Sequence, residues 1–317
     1  MLLGEPARTG YDWNFRLLRI PIRVHPLFWA TAVILGLGST RGNPQEKLQE
    51  IILWVLAVFL SILVHELGHA LCFACYRINS HVVLYHFGGL AIPDSFQSAA
   101  GRSGRDSPFQ QIMISAAGPG AQLGLALVVI LLLRLGGYTD GTLSQLGLPP
   151  QWTADPIEEV NHIVRTFDKN DKVPQSESIQ TLHPKYQRRW READKDGDKR
   201  VTPEEWTATV ILPSPLLATF ISHLLFVSIF WALLNLVPVY PLDGGQITRE
   251  LFLLSGSGRA IQHSLMLSIA VAVGISLWGF LYWGMLMGVM FLLLAYSSYT
   301  TLQRYTGRGG FGGGRPW

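Results

Sequence analysis

The chain has 317 residues, of which 49% are hydrophobic and only 15% are charged. Together with a mean hydropathy of +0.26, this composition is typical of a polytopic membrane protein and excludes an ordinary globular enzyme of similar length. The formal net charge of +3 identifies no partner. Because the sequence has no basic stripe with interleaved aromatic residues, we expect no nucleic-acid partner.

The N-terminal segment carries several arginines and lacks the apolar core of a cleavable signal peptide. Because arginines and lysines next to a transmembrane helix usually lie on the cytoplasmic side of the membrane, we expect residues 1–24 to be cytoplasmic. The first hydrophobic segment, His25 to Gly38, is shorter than the roughly 20 residues that a membrane-spanning helix needs. It is therefore the weakest candidate for a span.

The second hydrophobic segment, Leu48 to Tyr76, is long enough to cross the membrane and contains His65-Glu66-Leu67-Gly68-His69. Two histidines at this spacing project from one face of a helix and can bind one Zn²⁺, while the glutamate between them can act as a base toward a water molecule. Ionisable groups are costly inside a membrane and are kept there mainly when they face a functional cavity. The pattern predicts zinc-dependent hydrolysis within the membrane.

Cys72 and Cys75 are the only cysteines of the chain and lie on the same segment. Their C-x-x-C spacing also occurs in redox and metal sites. We favour a packing role, because small residues in membrane helices usually serve helix contacts.

The stretch from His81 to Pro93 is rich in strand-forming residues and contains Gly88-Gly89. It predicts a membrane-associated β-hairpin with its turn at these glycines. A protease must unwind a transmembrane substrate, and an exposed strand edge can hold the unwound segment by backbone pairing. A purely structural hairpin is the alternative.

Further hydrophobic segments, Phe109 to Leu135 and Pro213 to Val237, are predicted to span the membrane. Ala260 to Gln303 contains no Asp, Glu, Lys or Arg over 44 positions, which is enough for two more spans in a helical hairpin. The predicted fold is an all-α polytopic membrane protein with about six transmembrane helices. Both termini would then be cytoplasmic, in a bacterial inner or cytoplasmic membrane.

Residues 136–212 break the apolar pattern, because they hold 13 of the 22 acidic and 10 of the 25 basic residues. We expect a small soluble helical domain outside the cytoplasm. Part of it resembles an EF-hand loop, whose Ca²⁺ ligands would be Asp194, Asp196, Asp198, the carbonyl of Arg200, Thr202 and Glu205. Lys199 stands where the loop normally has glycine, and the left-handed conformation costs a lysine about 1 kcal/mol, which reduces the expected affinity. A solvated acidic loop is the alternative.

A catalytic zinc ion usually has three protein ligands, so a third ligand must come from elsewhere in the chain. Asp243 is the best candidate, because Pro238 and Pro241 end the preceding helix and the glycines that follow permit a tight backbone. An aspartate before glycine is also a common turn signal. The rival carboxylates, in more polar surroundings, are Asp94, Asp106 and Glu250.

Two motifs together, His-Glu-Leu-Gly-His at residues 65–69 and Asn-Leu-Val-Pro-Val-Tyr-Pro-Leu-Asp-Gly-Gly at residues 235–245, resemble those of the site-2 protease family of intramembrane zinc metalloproteases. The segment Ala116 to Gln122 is similar to the Gly-Pro motif of the family, except that the family usually has Asn where Gln122 stands. The side-chain role of Gln122 is therefore open.

This resemblance implies that His65, His69 and Asp243 bind the zinc ion and that Glu66 is the general base. For Asn235 it implies a part in holding the substrate or the tetrahedral intermediate. The alternative for Asn235 is an amide that bonds the backbone freed by the proline after it.

The leading hypothesis is an intramembrane zinc endopeptidase that cuts a single-pass membrane protein within the lipid bilayer, with one catalytic Zn²⁺ and with Ca²⁺ bound in the insertion. By analogy with recognition modules in some relatives, the insertion would screen or gate substrates. The alternative is a calcium-sensing membrane binding protein without proteolytic activity. The predicted organisation begins with a cytoplasmic segment (residues 1–24) and core helices one to three with the zinc box and hairpin (25–135). The EF-hand-like insertion (136–212) follows. Core helices four to six with the third ligand (213–305) and a flexible Gly-rich tail (306–317) complete it.

Overall fold

The computed structural model describes residues 5–37, 44–86, 88–94, 107–136 and 214–307. The predicted insertion lies outside this part of the chain except for its first residue, so its calcium loop stays a prediction. Asp106 and the end of the Gly-rich tail also lie outside the described residues.

The described residues form seven α-helices: α1 (Pro26–Leu37), α2 (Pro44–Cys75), α3 (Pro108–Gly136), α4 (Pro215–Asn235), α5 (Asp243–Leu254), α6 (Ala260–Trp278) and α7 (Met285–Gly307). Five of them, α2, α3, α4, α6 and α7, are long and apolar enough to cross a membrane, and the chain is an integral membrane protein. Helix α1 has 12 residues and covers about 18 Å of a hydrocarbon core of about 30 Å. The predicted six spans thus correspond to five candidates and one shorter apolar helix.

The predicted helical hairpin at the C-terminal end of the membrane region is confirmed. Helices α6 and α7 pack along each other and are joined by a π-helical turn, Gly279–Trp283. The turn contains Tyr282 and follows Trp278, as expected for aromatic residues at a lipid–water interface.

Four strands form one sheet in the order β1 (Trp13–Leu17), β2 (Ile20–Val24), β3 (Ser80–Tyr85) and β4 (Gly88–Pro93). The pairs β1–β2 and β3–β4 are antiparallel, whereas β2 and β3 pair in parallel. The two central strands contribute the most buried side chains, Val24, Val82, Val83 and Leu84. The predicted hairpin is confirmed, but it is half of a larger sheet whose other half comes from the N-terminal segment.

The predicted turn at Gly88-Gly89 is wrong. His86, with a φ of 48°, begins the connection between β3 and β4, and Gly88 and Gly89 lie in β4 opposite Tyr85 and Leu84. Gly89 serves a close contact with Glu66, described below, and not a turn.

Arg23 of β2 fixes the N-terminal segment to the sheet. Its guanidinium lies 2.8 Å from the Glu5 carboxylate and 3.0 Å from the Asp12 carboxylate. Hydrogen bonds from Thr9 and from Arg23 lower the pKa of Asp12 to about 2. The Asp12 carboxylate is therefore ionised, and its bond to Arg23 is kept, at neutral pH.

The chain divides into two units. The first comprises residues 1–38, 59–125 and 227–317 and holds the sheet and all residues of the site described below. The second comprises residues 39–58 and 126–226. Among its described residues, Trp54 packs edge-on against His223, with 5.4 Å between ring centroids.

Candidate metal centre

Helices α2 and α3 contact each other through residues spaced four apart, which lie above one another on a helix. The stripe on α2 is Ser61, His65 and His69, and the stripe on α3 is Ile114, Gly118 and Gln122. His69 Nδ1 lies 2.7 Å from the Ile114 carbonyl oxygen, and His65 Nδ1 lies 2.9 Å from Gln122 Oε1. Because the contacts run in opposite order along the two stripes, the helices are antiparallel here.

Glycines allow this close approach of α2 and α3. A Cβ atom at Gly68 would lie 2.8 Å from the Ala121 Cβ. A Cβ atom at Gly118 would lie 2.8 Å from His65 Nε2 and closer still to His69 Nε2. The two imidazoles therefore occupy the space that any side chain at residue 118 would take.

Asp243 reaches the histidines from the first turn of α5. Pro238 and Pro241, which lack a backbone N–H, interrupt the helical structure between α4 and α5. A Cβ atom at Gly245 would lie 2.6 Å from the Val239 carbonyl oxygen. The glycines after Asp243 thus let the start of α5 pack directly on the preceding loop.

The C-terminal hairpin holds that loop from two sides. The Tyr240 N–H donates to Ser268 Oγ of α6 at 3.2 Å, and Ser298 Oγ of α7 donates to the Tyr240 carbonyl at 3.0 Å. Val239 packs with Phe291 in the same hydrophobic cluster. Helices α6 and α7 therefore fix the segment that presents Asp243.

His65, His69 and Asp243 are buried and bring three ligand atoms together. His65 Nε2 lies 3.1 Å from His69 Nε2 and 3.1 Å from Asp243 Oδ2, and His69 Nε2 lies 3.4 Å from the same oxygen. Tetrahedral zinc with bonds of 2.0–2.1 Å places its ligand atoms about 3.3–3.4 Å apart. The spacing fits a single ion of that size.

The hydrogen bonds of the two rings also favour a cation. The Ile114 carbonyl can only accept, so His69 Nδ1 carries a hydrogen, and the bond to Gln122 Oε1 requires the same of His65. In the neutral rings both Nε2 atoms then present lone pairs. In this state two nitrogen lone pairs and a carboxylate oxygen converge, and a metal ion would satisfy all three.

Glu66 points away from α3 toward the sheet, because consecutive helical residues are separated by about 100° around the axis. Its side chain is buried, with the residue 4% exposed, and its carboxylate accepts a hydrogen bond from the Ala91 backbone N–H. A Cβ atom at Gly89 would lie 2.8 Å from Glu66 Oε1 and closer to its Cγ. Strand β4 thus forms one wall around the carboxylate.

We expect Gly89→Ala to lower peptide hydrolysis by about 10²-fold, the scale of a misplaced catalytic group, because the new methyl group displaces the Glu66 carboxylate. The measurement is the cleavage rate together with bound metal, which should be unchanged. Gly88→Ala is the matched control, because a Cβ atom there meets nothing within 4 Å. Equal rates for the two variants would show that Gly89 does not position Glu66.

The rival carboxylates in the described residues lie elsewhere. Asp94 Oδ1 is 3.0 Å from His81 Nδ1, at an exposed position. Glu250 is fully buried and accepts two bonds from Arg249, at 3.0 and 2.5 Å. Neither belongs to the group around His65.

Asn235 is partly buried at the end of α4, and its Nδ2 donates to the Trp231 carbonyl at 3.1 Å. The amide therefore bonds the backbone, as in the alternative considered above, although the carbonyl is one turn earlier in α4 and not the one freed by Pro238. A role for Asn235 toward substrate stays a prediction.

His25, Cys72 and Cys75 lie outside the group of candidate metal ligands. His25 Nδ1 accepts from the Leu27 N–H at 3.2 Å and caps the start of α1. Cys72 and Cys75 are free thiols, and Cys75 is exposed. The packing interpretation of Cys72 and Cys75 is not contradicted by any contact among the described residues.

The fold and this cluster together indicate a membrane protein with a buried candidate metal site of two histidines and an aspartate. Residues 53–277 match the sequence profile of Peptidase family M50, and the chain belongs to this family of metalloproteases. The family is zinc-dependent.

A comparison with solved structures gave the site-2 protease from Methanocaldococcus jannaschii. The two proteins share 16% sequence identity with a TM-score of 0.46, over 92% of this chain and 94% of that one. The comparison with curated protein sequences gave no significant match.

Proposed function

We propose that the protein is an intramembrane zinc endopeptidase that hydrolyses a peptide bond within or near the transmembrane segment of a single-pass membrane protein. The observation that carries this proposal is the convergence of ligand atoms from His65, His69 and Asp243 beside the buried Glu66. Membership of Peptidase family M50 supports the reaction class.

His65, His69 and Asp243 would hold the ion. When bound, Zn²⁺ supplies a Lewis acid that polarises a peptide carbonyl and makes water a better nucleophile at neutral pH. The donor set of two imidazoles and one carboxylate is one that catalytic zinc uses and leaves a position open for substrate.

Glu66 moves the proton. Its carboxylate accepts a proton from the attacking water as the new C–O bond forms, and delivers it to the amine nitrogen as the C–N bond breaks. The Ala91 N–H and the contact with Gly89 hold the carboxylate in one place during both transfers.

Strand β4 is the proposed docking edge for an unwound substrate. It is an edge of the four-stranded sheet, and Gly89 of this strand lies against the Glu66 side chain. An extended segment added to β4 by backbone pairing would bring its peptide bonds past Glu66. Asn235 is proposed to hold the substrate or the tetrahedral intermediate by turning its amide from Trp231.

The test compares wild type with Asp243→Asn for zinc content and for cleavage of a panel of tagged single-pass membrane proteins in liposomes. We expect wild type to bind one zinc ion per chain and to cut within a transmembrane segment. Chelation should stop cleavage and added zinc should restore it. Asp243→Asn should lower zinc affinity by more than about 100-fold, because a direct ligand contributes more than the outer-shell partners that give 10–100-fold.

Asp94→Asn is the matched control, because it removes an exposed carboxylate that lies outside the cluster. It should keep both zinc and cleavage. A wild-type protein that binds no zinc, or one whose cleavage survives complete removal of zinc, would disprove the proposal.

A further inference from the structure

A series of buried hydrogen bonds leads from His65 through Gln122 and Ser61 to Ser228 of α4. His65 Nδ1 is 2.9 Å from Gln122 Oε1, Gln122 Nε2 donates to Ser61 Oγ at 2.8 Å, and Ser61 Oγ is 2.9 Å from Ser228 Oγ. Gln122, Ser61 and Ser228 are completely buried. The series joins helices α2, α3 and α4.

The orientation of the Gln122 amide decides which nitrogen of His65 can bind a metal. With Oε1 toward the ring, Nδ1 must donate, and the lone pair of the neutral ring lies on Nε2. With the amide reversed, Nδ1 would accept and Nε2 would carry a hydrogen pointing at Asp243 and His69. Only the first arrangement gives a ligand.

The two ligand histidines are held by different kinds of acceptor on α3. His69 Nδ1 bonds the backbone carbonyl of Ile114, which no substitution removes. His65 depends on a side chain, and the four-residue spacing of Ile114, Gly118 and Gln122 places that side chain beside it.

We infer that Gln122 is a positioning residue for the metal ligand His65, and that Ser61 and Ser228 hold the Gln122 side chain beside the ring. The inference rests on the proposed zinc site. It gives a role to Gln122, which the sequence left open. Buried polar groups need partners, and both polar atoms of the Gln122 amide have one in this series of hydrogen bonds.

The test measures zinc affinity by chelator competition and the visible spectrum of the Co²⁺-substituted protein. Gln122→Met keeps the volume of the side chain and removes both bonds, and we expect zinc affinity to fall 10–100-fold with a changed Co²⁺ spectrum. Gln122→Glu keeps an acceptor for His65 and an acceptor for the Ser61 hydroxyl, and should retain affinity within a few-fold of wild type, on the order of one lost neutral bond.

Gln110→Met is the matched control. It makes the same substitution on the same helix, and the buried Gln110 Nε2 has no hydrogen-bond partner among the described residues, so zinc affinity should not change. If Gln122→Met does not fold, Ser61→Ala provides the second variant, with an expected loss on the order of fivefold.

The outcomes separate this inference from the proposed function. Wild type without zinc would disprove the proposed function. Wild type with zinc and Gln122→Met with the same affinity and the same Co²⁺ spectrum would disprove only the positioning role. Loss in Gln122→Met with recovery in Gln122→Glu would establish it.

Discussion

Gly118→Ala should abolish zinc binding and reduce peptide hydrolysis to the background rate. The added Cβ atom would lie 2.8 Å from His65 Nε2 and closer to His69 Nε2. One ring must move, or α3 must move away, by several tenths of an ångström or more. Zinc sites tolerate deviations of only about 0.2 Å in their ligand distances, so a methyl group at this position and a bound ion exclude each other.

Gly120→Ala is the control on the same helix, because a Cβ atom there meets nothing within 4 Å. Both variants exchange glycine for alanine in a helix, which by itself favours helix formation by about 1 kcal/mol. Zinc content, cleavage and thermal unfolding should therefore differ only through the contact with the rings. Full zinc content in Gly118→Ala would show that α3 does not lie so close to the histidine rings that it excludes a methyl group.

Glu66→Gln should lower cleavage by about 10²–10⁴-fold, the usual contribution of a general base, while zinc content stays at the wild-type value. The amide has the shape of the carboxylate and keeps the contact with Gly89 and an acceptor for the Ala91 N–H. It cannot take a proton from water. Glu66 is outside the group of ligand atoms, so its charge is not needed to hold the ion.

The measurement for Glu66→Gln is single-turnover cleavage of a substrate found with wild type, with zinc determined on the same sample. Glu66→Gln should lose cleavage and keep its zinc, as expected for a general base. Asp243→Asn should lose both, as expected for a metal ligand. Wild-type cleavage by Glu66→Gln would mean that another group takes the proton.

Local patterns were sufficient for much of the fold. The long apolar segments form α2, α3, α4, α6 and α7. Inside a membrane no water is present to bond the backbone, and a helix satisfies every backbone N–H and C=O group within one segment. The hairpin at residues 81–93 followed from its strand-forming residues. The strands before residue 25 carry no comparable signal, because β2 depends on parallel pairing with β3, a partner more than fifty residues away in the sequence.

The metal centre divides in the same way. Spacing alone put His65 and His69 on one face of a helix with Glu66 between them, because that geometry belongs to the helix itself. Spacing alone could rank Asp243 above Asp94 and Glu250, but only the family resemblance joined it to the histidines. Their meeting depends on α6 and α7, whose Ser268 and Ser298 hold the loop before Asp243.

Hydropathy and helical period are properties of neighbouring residues, so local patterns were enough to predict a membrane protein, the histidine pair and the base. The need for glycine at residues 118 and 89 and the partners of Gln122 became visible in the folded chain. Those roles come from contacts under 3 Å between elements far apart in the chain, and no local pattern records which side chain will occupy the space next to a glycine.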